Sequence, residues 1–355
     1  MKLIILGDTH FGMRGDSLEF HNYYKRFYQE VLFPYVVKNN ITTIFQMGDL
    51  FDRRKFINFN TLYLSRQYFF NTIKELGIQF HTILGNHDIY YKNVLEVNSS
   101  QMLLKDYDNI IVYDEPNKVV FDGVDVDVIP WICADNEMEI KKFIENSTSQ
   151  ICFGHFEIAG FEMDKGNVCH EGLDKSILKR YDIVLSGHFH HKSSDGQITY
   201  VGTPGEMTWT DYNDPRGFHV FDTETREMEF IQNPYRMFHK ISYDDTVSDF
   251  EFWKSFDYNA LKETYVKVIV VNKQNPYLFD NVIDNLYKAG VSDISIVEDF
   301  TDNSVENDDE LVNQAEDTMT ILGKYIDNLT LNVDNDKLKA LMREVYVEAL
   351  TTETE

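Results

Sequence analysis

Five segments of the chain set acids, amides and imidazoles directly after a glycine: Gly-Asp-Thr-His at 7–10, Gly-Asp at 48–49, Gly-Asn-His-Asp at 85–88, Gly-His at 154–155 and Gly-His-Phe-His at 187–190. They offer Asp8, His10, Asp49, Asn86, His155, His188 and His190 as donors, with His87 beside them. Residues two apart in an extended segment point the same way. Asp8 with His10, and His188 with His190, can therefore each grip one ion. Oxygen and nitrogen donors without a thiolate suit borderline divalent cations such as Mn²⁺, with Mg²⁺ as the alternative, rather than a structural zinc. Two ions need a shared ligand, and a single carboxylate between them is the natural bridge. Such a pair activates water and stabilises a phosphorane-like transition state, which is the chemistry of phosphoester hydrolysis.

The elements that must position these donors are short apolar runs. "LIIL" (3–6), "TIF" (43–45), "HTIL" (81–84), "VDVDVI" (124–129), "ICF" (151–153) and "IVL" (183–185) read as buried strands, most of them ending in one of the motifs. Between the first three, Phe20, Tyr24, Phe27, Val31 and Tyr35, then Leu62, Phe69, Ile73 and Leu76, recur at helical spacing. Strands alternating with helices predict α/β layering and a largely buried sheet. From 197 to 232 the pattern turns β-rich. A βαβ unit is expected over 264–299, as a small second domain.

The predicted organisation is a catalytic domain over 1–238, a small α/β domain over 239–299, an acidic linker over 300–311 and a helical tail over 312–355. In the tail, Val312, Ala315, Met319, Leu322, Ile326 and Leu329 form a narrow stripe, and Leu338, Leu341, Val345 and Ala349 a second one. Two short helices behind an acidic linker need something to bury against, and a partner's groove or coiled coil is expected. Nothing approaches a membrane span or a signal peptide. Cys133, Cys152 and Cys169 are odd in number and have no CxxC spacing, so a reducing, cytoplasmic setting is expected. The net charge of −26 argues against a strong intrinsic grip on nucleic acid. Arg14, Arg53, Arg54 and Lys55 lie just after His10 and Asp49 and are the candidate phosphate contacts. His21, His81, His170, His219 and His239 lack the motif context, and His191 is expected not to be a ligand.

The motif order resembles the calcineurin-like metallophosphoesterase superfamily. "ILGDTHFG", "MGDLFDRRK" and "ILGNHD" are similar to the SbcD/Mre type of DNA repair and recombination nuclease, in particular the recombination nuclease subunits of large tailed phages. The resemblance is motif-specific over 1–205 and one of layout beyond 240. It implies a sandwich of two mixed β-sheets flanked by helices and an Mn²⁺-dependent nuclease acting on DNA ends. One cation would take Asp8, His10 and His190, the other Asn86, His155 and His188, and Asp49 would bridge them. His87 would orient the phosphate and protonate the leaving oxygen. Many relatives carry a histidine where this chain has Asp52, which puts the role of Asp52 in question. The resemblance further implies a homodimer through the helices around 59–76 and 94–104. It also implies an SbcC/Rad-type coiled-coil ATPase partner, which 312–355 would grip. The alternative function is a phosphodiesterase or phosphatase on small-molecule or protein substrates, which the acidic charge favours.

Overall fold

The computed structural model describes residues 1–298. The strand Lys2–Leu6, fully buried from Leu3 onward, is central to a six-stranded sheet. Thr43–Gln46, Gln79–Ile83 and Ile110–Tyr113 follow it in parallel on one side; on the other Gly217–Asp222 is antiparallel to it, and Met228–Gln232 is antiparallel in turn to Gly217–Asp222. The second sheet holds Val124–Ile129, Ile151–His155, Ile183–Gly187 and Ile198–Tyr200 in parallel, with Asn117–Phe121 and Ser193–Ser194 antiparallel at its edges. Alternating side chains turn inward from both sheets. Leu3, Ile5, Phe45, Met47 and Ile83 share one core with Val126, Val128, Ile151, Phe153 and Leu185. This is the expected sandwich of two mixed sheets.

Helices cover the outer faces. On the first sheet, Phe27 packs on Phe218 (ring centroids 6.1 Å apart) and Phe69 on Phe80 (5.7 Å). On the second, Ile140 and Ile144 of the helix Glu137–Asn146 join Ile129, Cys152 and Val184. Both helical stretches over the first sheet contain a π turn, Tyr28–Leu32 and Arg66–Phe70. The extra residue rotates the helical turns downstream of it. Leu32 and Val36 are therefore buried while Val31 and Tyr35 are only half-buried. For the same reason Tyr68, Phe69 and Phe70 are all buried, against Phe11, Tyr28 and Phe80. Residues 59–76 carry Phe59, Tyr63, Tyr68, Phe69 and Phe70, more aromatics than one buried α-helical face requires. The π turn widens that face, and only Phe59 and Tyr63 among them remain exposed, at 88% and 61%.

The expected βαβ unit is present as Tyr265–Asn272, the helix Pro276–Ala289 and Asp293–Glu298. Asn275 caps the helix by accepting from Leu278 N at 3.2 Å. A further strand, Phe238–Asp244, pairs in parallel with Tyr265–Asn272, and a short helix, Phe250–Ser255, adds Trp253 to the core. This small sheet has its own core, yet residues 1–207 and 211–297 form one compact unit. The linker at 300–311 and the tail at 312–355 lie outside the described residues. Among the described residues, no helix is long and apolar enough to cross a membrane.

Candidate metal centre

Every motif sits where a strand of one of the two main sheets ends, and three of the donors pay for that position in backbone strain. His10, Asp49 and His188 have φ of 41°, 53° and 84°, a left-handed conformation that costs on the order of 1–3 kcal/mol for a non-glycine residue. The glycines before them let the segments close up. Gly48 has φ +94°, and a Cβ there would lie 2.4 Å from His155 Nδ1. At Gly187 it would lie 2.3 Å from the Met47 carbonyl and 2.6 Å from Asp8 Oδ1.

The motifs converge into two donor sets. Asp8, His10 and His190 form one: His10 Nε2 is 3.2 Å from His190 Nε2, which is 4.0 Å from Asp8 Oδ2. Asp49, His155 and His188 form the other, with Asn86 among them. Asp49 Oδ2 lies 3.4 Å from His155 Nε2 and 3.8 Å from His10 Nε2, so it faces both sets. The His155 ring is oriented by its far nitrogen, Nδ1, which donates to the Met47 carbonyl at 2.7 Å and leaves the Nε2 lone pair pointing inward. Trp131 walls the second set, its ring 5.0 Å from His188 and 5.9 Å from His155.

The donor chemistry fits cations. The Asn86 carboxamide has two ways to sit. With its oxygen inward it is 3.1 Å from His155 Nε2 and 3.0 Å from His188 Nδ1, one more acceptor aimed at the same point. With its NH₂ inward, its two hydrogens have both rings and Asp49 Oδ2 (3.2 Å) within reach, and its oxygen takes Arg54 Nη2 at 3.3 Å. The first orientation suits a bound cation, and in the bare protein it can accept from a protonated His155 Nε2. Protonation follows the same logic. Burial pushes the His155 and His10 imidazoles down, but Asp49 and Asp8 beside His155, and Asp52, Asp49 and Asp8 beside His10, hold each up at about 9. Burial also opposes the Asp49 charge, yet the neighbouring imidazoles of His155, His87 and His10 keep it well below the usual carboxylate range. Asp8, chiefly through burial, rises to about 7. Burial and the neighbouring His155 drive His188 down to about 3, and burial with His10 drives His190 down likewise. Protons balance the carboxylates in the bare protein, and divalent cations would take their place.

His87 packs edge-on against His10, ring centroids 4.8 Å apart, and clusters with His10 and Asp52 rather than with the other donors. Its backbone N–H donates to Asp49 Oδ1 at 2.7 Å and its ring Nδ1 to the Asp52 carbonyl at 2.6 Å. Nε2 has no hydrogen-bond partner among the described residues. Burial pushes this imidazole down, toward the neutral form. Asp52 places a carboxylate oxygen 3.4 Å from His10 Nδ1, a position from which it orients a ligand ring. Of the basic residues, Arg54 reaches Asn86, whereas Arg53 pairs with Asp16 at 3.4 Å and lies over Phe56. Arg14 and Lys55 are exposed. His191 turns away, 2.8 Å from Asp214 Oδ2. His21, His81 and His219 are buried against Tyr68 and Thr61, against Tyr113, and against the Val201 carbonyl.

Sequence reasoning missed Asp88. Its buried carboxylate accepts from the backbone N–H groups of Gly85 and Asp49 at 2.9 Å, Leu50 at 3.0 Å and Phe51 at 3.4 Å. It thereby ties the second and third motifs together. The available signal was its place in Gly-Asn-His-Asp, an acid directly after a candidate ligand and its neighbour.

The family model described as calcineurin-like phosphoesterase matches residues 1–192. Over 353 residues, 98% of this chain and 99% of the other, the chain is 38% identical to exonuclease subunit 1 of Enterobacteria phage T4. Among solved structures it is similar to GAP50, described as the anchor in the inner membrane complex of Plasmodium (13% identity, 66% of this chain and 90% of that one, TM-score 0.40). It is also similar to a hypothetical protein of Thermus thermophilus (12% identity, 66% and 100%, TM-score 0.37). These two structural likenesses are too remote to carry an argument.

Proposed function

The chain belongs to the calcineurin-like phosphoesterase family, metal-dependent hydrolases of phosphoesters, and from that premise we propose that it is the nuclease subunit of a DNA exonuclease. It would act on duplex ends, and on single strands as an endonuclease, with two Mn²⁺ (or Mg²⁺) ions. One would be held by Asp8, His10 and His190, the other by Asn86, His155 and His188. The observation that carries the reading is Asp49, one carboxylate facing both donor sets at 3.4 and 3.8 Å. Bound there, the cations would supply Lewis acidity and an activated water. The chain's own residues do the rest. With its Nδ1–H held by the Asp52 carbonyl, His87 is placed to protonate the leaving oxygen once its free Nε2 has taken up a proton. Arg54 is placed to hold a phosphate oxygen. Asp52 orients His10, and the Met47 carbonyl orients His155.

The similar phage protein is named as a subunit, which supports a partner. We assign that role to a coiled-coil ATPase gripped by 312–355. With a net charge of −26, this chain alone should hold DNA weakly, so the partner would supply much of the grip. A homodimer is the accompanying proposal. Phe59, Tyr63 and Met102 are exposed at 88%, 61% and 64%, and Arg66 Nη2 donates to Leu103 O at 2.7 Å, joining the two helices into one surface. Exposed apolar area of this kind marks interfaces. The acidic charge favours a second reading, hydrolysis of small or protein-borne phosphodiesters. The test is Mn²⁺-dependent release of nucleotides from a labelled duplex, with and without the ATPase, against hydrolysis of bis-p-nitrophenyl phosphate. Release from the duplex is expected. Turnover of the small ester alone, under both conditions, overturns the DNA reading.

A further inference from the structure

His155 is anchored through its own ring, but His190 is not. Among the described residues no hydrogen bond forms at His190 Nδ1, and Nε2 meets only His10 Nε2 of the same set at 3.2 Å, so outside the donor set its backbone alone places the ring. That backbone is pinned from one direction. The His190 carbonyl accepts from Thr203 N at 3.1 Å and from Arg216 Nη1. The same Nη1 donates to Thr203 Oγ1 at 2.9 Å, while Nη2 reaches Asp211 Oδ1 at 2.5 Å and Asp214 Oδ2 at 2.8 Å. Asp214 in turn fixes His191 at 2.8 Å, and Glu162 lies 3.5 Å from the other nitrogen of that ring. Arg216, Asp211 and Asp214 are 4%, 1% and 8% exposed.

Burying one cation with two carboxylates is a poor way merely to hold a loop, since apolar packing does it as well or better. What the arrangement delivers is geometry. A planar guanidinium with a fixed fork of donors sets one carbonyl, one hydroxyl and two carboxylates in mutual register. We propose that Arg216, backed by Asp211 and Asp214, is a positioning residue for the first cation: it fixes the backbone carbonyl from which the His190 ring is set and touches neither substrate nor reacting atoms. The second donor set, built from Asp49, Asn86, His155 and His188, makes no contact with it.

The inference rests on the two-cation reading above, and one experiment separates the two. The full-length chain, stripped by chelator, is titrated with Mn²⁺ by calorimetry and followed by EPR. Wild type should take two equivalents and show a spin-coupled signal. Arg216→Lys keeps the charge but cannot span the His190 carbonyl and both carboxylates. It should bind one equivalent as wild type does, hold the other 10–100-fold more weakly, and show an isolated Mn²⁺ signal. Arg216→Gln combined with Asp214→Asn leaves the net charge of the triad unchanged and should behave alike, which keeps the test decisive if the lysine variant does not fold. Two equivalents at wild-type affinity in a folded variant overturn the assignment. So does equal weakening of both equivalents, which is what general destabilisation would give. Fewer than two equivalents on the wild-type chain overturn the two-cation reading itself, and this inference with it.

Discussion

The placement of His87 makes the choice of substrate a diagnostic. Its ring bonds to the Asp52 carbonyl through Nδ1, and only its backbone N–H touches Asp49. His87→Ala keeps that backbone donor, so the bridging carboxylate stays oriented and both cations should still bind. What is lost is the proton for the leaving group. Positioned acids contribute about 10²–10⁴-fold, or roughly 3–5 kcal/mol at 1.36 kcal/mol per decade. That loss applies where the leaving group is a sugar alkoxide, which leaves badly without a proton. p-Nitrophenolate leaves unaided, so hydrolysis of bis-p-nitrophenyl phosphate should fall by less than about tenfold. The assay is a pair of initial rates at saturating Mn²⁺ on duplex DNA and on the nitrophenyl ester, alongside the bound Mn²⁺ count. Equal losses on both substrates would refute the role of acid. A count below two would show that His87 supports metal binding instead.

Three other perturbations draw on the same geometry. Asp88→Ala strands up to four backbone N–H groups at roughly 1–3 kcal/mol each, a sum comparable with a whole domain's stability of about 5–15 kcal/mol; a thermal melt within a few degrees of wild type would defeat that accounting. His81 lies beside Phe45 and Tyr113, its ring nearly parallel to both at 6.0 and 5.9 Å, and is pushed by burial to about 4. The unfolded chain therefore takes up a proton near 6.5 that the folded chain refuses, and stability should be lost as the pH falls from 6.5 towards 4. The shift is worth roughly 3 kcal/mol, and in denaturant titrations His81→Gln should lose less than wild type over that window. Phe59→Glu should shift the sedimentation mass to that of a monomer with its Mn²⁺ count intact; a wild-type mass that is already monomeric at all concentrations removes the dimer.

The sandwich and its donor clusters were legible because each candidate ligand follows a buried apolar run that ends on glycine, and strand ends are where such sheets gather side chains. The spacing Asp8-x-His10 carried over directly, both residues lying in one donor set with His190, whereas His188 and His190, expected to grip one ion together, fall in different sets. The strand Phe238–Asp244 was less visible. Its sequence, "FHKISYD", alternates apolar and polar residues as a half-buried strand should, but no motif drew notice to it. The π turns left no trace in the apolar spacing, because one inserted residue changes which ring is buried without changing composition. Leu32 took the place expected of Val31, and Val36 that of Tyr35, for that reason.

What stayed hidden is of one kind: the residues that hold the ligands rather than serve as them. A ligand declares itself by its own chemistry, since few side chains bind a divalent cation. A supporting residue needs only to reach a particular backbone atom, and any acid or base in a polar loop has the right chemistry for that. Asp88 reaches back 39 positions to the Asp49 N–H. Arg216 reaches 26 to the His190 carbonyl, out of "DYNDPRG", a stretch that reads as an ordinary turn. Asp52 shows the difference within one segment. As a sequence letter it was an acid where a histidine was expected, with no assignable role. In the fold its backbone carbonyl fixes His87 and its carboxylate faces His10. That one residue therefore touches both the candidate acid and the first donor set. The chemistry of this site can be read one residue at a time, but its rigidity depends on pairs that only the folded chain brings together.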